Sequence, residues 1–151
     1  MQSRAAIFGH PLHPIFVTIP VGLWSVTPAC DLLHWYLGDP GWKTAGLFCV
    51  AVGVLGAIPA IITGLIDYPL AQGRAAAVAK FHLILNLAAS VIFLGDAYLR
   101  WAELYSGSNP PVFANLPVVI SLVGVVLIGL SGFLGGELIS RFGISVHSDA
   151  V

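Results

Sequence analysis

Hydrophobic and polar positions do not alternate at short range along this chain. They segregate into four long apolar runs, residues 15–37, 44–66, 80–104 and 116–138, separated by short polar segments. The first run is free of charge as far as Cys30, the second throughout, the third from Phe81 to Gly95, and the fourth until Glu137. A helix crosses the hydrocarbon core of a bilayer in roughly 20 mainly apolar residues, so each run is long enough to span. Lipid offers no partners to backbone N–H and C=O groups, which excludes open strands and leaves helices. The links are short. Gly38-Asp39-Pro40-Gly41 is a turn signal between the first two runs, residues 68–79 join the second to the third, and Ser106-Gly107-Ser108-Asn109-Pro110-Pro111 breaks the chain before the fourth. Short links force neighbouring helices to be antiparallel. The prediction is an all-α integral membrane protein, an up-down bundle of four transmembrane helices forming one membrane domain over residues 1–151.

Composition agrees and removes the alternatives. Hydrophobic residues make up 58% of the chain and charged residues 9%, against about 25% charged in a soluble domain. A water-facing surface cannot be covered with so few charges, so a soluble enzyme, a disordered chain and a coiled coil are excluded. The net charge of −1 gives no reason to expect a nucleic-acid partner. The first run continues well past signal-peptide length and is expected as a span rather than a cleaved leader. Pro20, Pro28 and Pro59 fall inside spans, where membrane helices tolerate them. Four spans put both termini on one side, together with Arg4, Arg74, Lys80 and Arg141; Lys43 and Arg100 fall on the other. The positive-inside rule then predicts an inner-membrane protein with cytoplasmic termini, and Trp35, Trp42 and Trp101 form an interfacial belt on the opposite side.

Polar side chains are so few that their placement carries information, because ionisable groups in or near the bilayer are costly. Folding the spans up and down collects His10, His13, Asp67, His82, Glu137 and His147 on the terminal side, and Asp31, His34, Asp96 and Arg100 on the far side. In Gly9-His10-Pro11-Leu12-His13-Pro14 each histidine precedes a proline and is biased toward extended backbone, so the first helix is expected at or after Pro14. His82 and Asn86 are four residues apart and share a helix face. Asp67 ends the second span, placed either to orient a histidine from behind or to cap the loop before Pro69. Gly132, Gly135 and Gly136 weaken the last span by nearly 1 kcal/mol each relative to alanine, a cost offset by tight packing or by a flat ligand against bare backbone. The far-side groups read as a structural ion pair, Asp96 with Arg100, joined by Asp31.

With the GHPLHP box, Pro20-Val21-Gly22, Gly64-Leu65-Ile66-Asp67, His82 with Asn86, and the glycine-rich end of the last span followed by Arg141-Phe142-Gly143, the chain resembles a family of small bacterial membrane proteins catalogued as domain of unknown function 2231. The resemblance runs over nearly the whole chain. It implies a four-span membrane protein and no particular activity. Relatives joined to Rieske iron–sulfur or cytochrome c domains point by analogy to electron transfer. This chain has two cysteines, Cys30 and Cys49, both in apolar runs, and no Cys-x-x-Cys-His, so neither a disulfide framework nor covalent haem is expected.

Three functions compete. The first is a membrane electron-transfer component binding b haem, with His10, His13, His82, Asn86, Gly132, Gly135 and Gly136 around it. The second is a site for a single transition-metal ion held by His10, His13, His82 and Asp67, with Glu137 an alternative carboxylate. The third is a non-catalytic subunit of a larger membrane complex. The partners expected are the lipid bilayer and redox proteins or such a complex. No nucleophile–base pair, nucleotide loop or proton-relay chain stands out, so enzymatic activity is not expected.

Overall fold

The computed structural model of the chain describes residues 2–106 and 116–146. It contains a small hairpin, β1 (Ala6–Ile7) and β2 (His10–Pro11), followed by four helices. These are α1 (Leu12–Leu37), α2 (Gly41–Asp67), α3 (Arg74–Ser106) and α4 (Leu116–Ser140), with a 3-10 turn at Tyr68–Leu70 between α2 and α3. All four helices are long and apolar enough to cross a membrane. The four-span all-α architecture read from the hydropathy pattern is the one observed, with the helices extended past the apolar runs, chiefly at the near (terminal) end. His147 and most of the break before α4 lie outside the described residues.

Local chemistry sets the boundaries. The sequence places the start of α1 at or after Pro14; the structure starts it at Leu12. Pro14 has no N–H to donate, but the first-turn N–H groups of a helix lack intrahelical acceptors in any case. His13 therefore sits in the first helical turn rather than in an extended segment. Ahead of it, Phe8 (φ 50°) and Gly9 (φ 79°) turn β1 back onto β2, as a two-residue hairpin requires. Gly38, in left-handed conformation at φ 70°, ends α1 and donates its N–H to His34 O at 2.8 Å. The carboxylate of Asp39 then accepts the N–H of Gly41 at 2.8 Å and opens α2.

The two helical hairpins α1–α2 and α3–α4 pack into one bundle in which α1 and α3 face each other across the centre. Their contacts fall into three layers. At the near end the rings of His13 and His82 are 6.1 Å apart between centroids. In the middle Trp24 and Phe93 stack at 4.3 Å with 13° between planes. At the far end Arg100 bridges to Asp31. Each of these pairs has the same sequence separation, 69 residues. The other two helices repeat the arrangement at a separation of 71: an ideal Cβ on Gly53 of α2 would lie 2.4 Å from Trp24, and one on Gly124 of α4 would lie 2.5 Å from Phe93. The chain is thus two similar helical hairpins related by an approximate twofold axis along the bundle. Such parallel repeats are a recurrent design in membrane proteins.

The buried core is small: Trp24, Val50, Ala57, Ala89, Phe93 and Ile128. On the outside Phe48, Leu55, Val91, Val126 and Phe133 are each more than half exposed, an apolar surface suited to contact with lipid. Because lipid is as apolar as leucine, close packing at small residues supplies the helix-to-helix attraction. Gly124→Ala should therefore lower stability by about 1–3 kcal/mol through collision with Phe93. Gly129→Ala, on the same helix with nothing within 4 Å of the new methyl, should be neutral or gain up to about 1 kcal/mol. Unfolding of the two variants in detergent checks the contrast.

Candidate functional site

Three elements build the near-end site. The first turn of α1 carries His13, the third turn of α3 carries His82, and the last turns of α2 and α4 close around them. The Nδ1 of His13 is 2.8 Å from Ala60 O on α2, and the Nδ1 of His82 is 2.8 Å from Ser131 O on α4. A carbonyl oxygen only accepts, so both rings carry their proton on Nδ1. In the neutral ring this leaves Nε2 as the acceptor nitrogen. Gly64 and Gly135, one turn beyond those carbonyls, make room: a Cβ on Gly64 would be 3.0 Å from the His13 ring, and one on Gly135 would be 3.1 Å from the His82 ring. The repeat of the fold is therefore also a repeat of the site.

The two rings lie nearly perpendicular, at 82°. Two imidazoles directly opposite each other on one ion would have a comparable separation, since two metal–nitrogen bonds of about 2 Å plus the distances from ring centre to nitrogen come to about 6 Å. Both rings line a cavity of about 420 Å³, together with Trp24, Ala60, Ile61, Gly64, Asn86, Ile128, Gly132, Gly135 and Gly136. This is an apolar pocket with few, converging polar groups, the usual character of a ligand site.

The halves differ in two respects. Asn86 lies 3.1 Å from His82 Nε2 and donates to His82 O at 2.9 Å, so His82 is capped. Val17 occupies the equivalent place next to His13. The Ser131 hydroxyl also donates to His82 O, at 3.2 Å. A ligand on His82 Nε2 would have to displace Asn86 from that nitrogen, and His82 O would remain its acceptor.

The description "Predicted membrane protein (DUF2231)" fits residues 9–148 of this chain. The chain belongs to that family. No curated protein and no solved structure matches it.

Among the residues singled out from sequence, the structure of this DUF2231 protein brings His13, His82, Asn86, Gly132, Gly135 and Gly136 to one cavity. Asp67 lines it too, but its carboxylate accepts the Ser3 hydroxyl at 2.5 Å, the Arg4 N–H at 2.7 Å and the Ala5 N–H at 3.1 Å. It therefore straps the N-terminal segment to α2 rather than orienting an imidazole. His10 is exposed in β2, outside the cavity lining. Glu137 pairs with Arg141 at 3.4 Å on the surface. Among the described residues no set of three His, Cys, Asp or Glu side chains is arranged to hold a metal ion. Reading the sequence missed the Ala60 and Ser131 carbonyls and Gly64. The signal was available in the equal spacing of His13/His82, Trp24/Phe93 and Asp31/Arg100, which marks the repeat.

The strap predicts its own test. Asp67→Asn removes the charge from three hydrogen bonds, each worth about 1.5–3 kcal/mol when charged. Hydrogen exchange over residues 2–12 should rise sharply, with exchange in the centre of α2 unchanged.

Proposed function

We propose that this protein is a membrane redox component that holds b haem between His13 and His82. The observation that carries the reading is the near-end layer of the axis. Protein contacts close the other two layers, by stacking and by an ion pair, whereas here two backbone-anchored imidazoles face each other with no bond between them. The Nδ1–H bonds to Ala60 and Ser131 fix ring orientation and raise the basicity of Nε2, as is usual for histidines that bind iron or zinc. A bare ion of the zinc or iron type takes four to six donors, and two imidazoles underfill it. A haem iron brings four nitrogens of its own and needs only two from the protein. The bare backbone of Gly132 and Gly136, with nothing within 4 Å of either position, gives a flat surface for a ring, and the apolar lining keeps water away. When bound, such a centre passes single electrons.

Titration of the purified protein with haem in detergent, followed by absorption spectroscopy, tests the proposal. Wild type should give a six-coordinate bis-histidine spectrum at about one haem per chain. His13→Ala and His82→Ala should each lower affinity by at least about 100-fold, as expected for a metal ligand or its close support. His10→Ala and His34→Ala should bind as wild type does. Protein that stays colourless and takes up a metal ion instead would favour the single-ion site, and protein that takes up neither would favour the accessory-subunit role.

We also propose that the termini lie in the cytoplasm and that the membrane is the inner one. Arg100 is buried in an ion cluster, so it does not count as a loop charge. That leaves Arg4, Arg74, Lys80 and Arg141 at the near end against Lys43 at the far end, and Lys43 is paired with Glu103. A C-terminal reporter should be active only in its cytoplasmic form.

A further inference from the structure

At the far end of the axis, α1, α3 and α4 enclose two carboxylates and one guanidinium. Arg100 forks onto Asp31, Nη1 to Oδ1 at 2.6 Å and Nη2 to Oδ2 at 2.8 Å, and its Nε donates to Asp96 Oδ2 at 3.1 Å. The Ser121 hydroxyl adds a weaker bond to Asp31 Oδ2 at 3.3 Å. Asp31 is therefore satisfied on both oxygens. Asp96 is not: its side chain is 0% exposed, and its Oδ1 is the one buried side-chain N or O atom among the described residues with no hydrogen-bond partner. Formal charges leave one negative charge over in the cluster, and the geometry puts the unmet demand on that oxygen.

A buried charge without a partner costs several kcal/mol even after relaxation, and inside a bilayer such groups mark ion or proton sites by default. A water molecule would satisfy the hydrogen bond but leave the charge. Among the described residues the cluster borders a cavity on its far side. A far-end cavity of about 470 Å³ is lined by Asp31, His34, Lys43, Arg100 and Glu103, so it reaches the two groups that lie beside Asp96. On the other side the Trp24–Phe93 stack shuts the cluster off from the histidine cavity.

We propose that Asp96 Oδ1 seats one exchangeable monovalent cation, a proton or an alkali-metal ion, taken up from the far-end cavity. The cation brings the cluster to neutrality, and the aromatic stack confines exchange to the far face. The ionisable groups around it are Asp31, Cys30 and His34 on α1, Cys49 and Lys43 on α2, and Arg100 and Glu103 on α3. Lys43 and Glu103 pair with each other, and Cys30 and Cys49 are free thiols. The excess negative charge stays with Asp31 and Asp96. This site is independent of whatever His13 and His82 bind.

The test uses the full chain in detergent. The melting temperature of wild type and of Asp96→Asn is measured with sodium chloride against choline chloride at equal ionic strength, and across pH in choline alone. Asparagine keeps the volume of aspartate and balances the cluster at one negative and one positive charge. A rise on the order of 5 °C with sodium in wild type, lost in the variant, identifies an alkali-metal ion. No sodium effect, but a pH dependence lost in the variant, identifies a proton. That proton should also give a protonated-carboxyl infrared band that shifts in heavy water. If Asp96→Asn fails to fold, the sodium response and the infrared band of wild type decide. Wild type with neither a sodium response nor a carboxyl band, or a variant that keeps the full wild-type dependence, overturns the proposal and leaves only a bound water.

Discussion

Helices α1 and α3 reach each other through the centre of this bundle because α2 and α4 give way at single glycines. Trp24 and Phe93 are too large to meet across four close-packed helices unless the flanking backbone is bare, and Gly53 and Gly124 supply that bareness. Without water to drive helices together, contact of this kind carries the association. The stack lies between the other two layers in which α1 meets α3, an ion pair at the far end and two facing imidazoles at the near end.

Much of this was legible before any coordinates. Four apolar runs with short links dictate four antiparallel spans, because the bilayer leaves the backbone no other choice. The gathering of His13, His82 and the late glycines at one end follows from counting crossings, and so does the cluster of Asp31, Asp96 and Arg100 at the other. What remained hidden depends on side-chain direction and on backbone atoms. Asp67 is near the histidines by topology, yet its oxygens turn to the N–H groups of Arg4 and Ala5, an attraction that no spacing in the sequence displays. His10 and His13 look alike in the GHPLHP box; a helix start at Leu12 places one in the bundle and leaves the other on a two-residue strand. The carbonyls that hold the imidazoles belong to Ala60 and Ser131, residue types that announce nothing about chemistry.

The aromatic layer also divides the molecule electrically. The near-end cavity holds two imidazoles in apolar surroundings, and the far-end cavity holds charges of both signs. With Trp24 and Phe93 between them, no chain of the side-chain hydrogen bonds among the described residues joins the two ends.

The Asp31–Arg100 pair has a bearing on how such a chain can arise. In an assembly of two identical helical hairpins, equivalent positions on the axis face their own copies. Position 31 would then set aspartate against aspartate, or arginine against arginine, and like charges would push the halves apart. Opposite charges at equivalent positions are possible only once the two hairpins are separately encoded and can diverge. The ion pair is therefore a mark of specialisation. It makes each half the complement of the other.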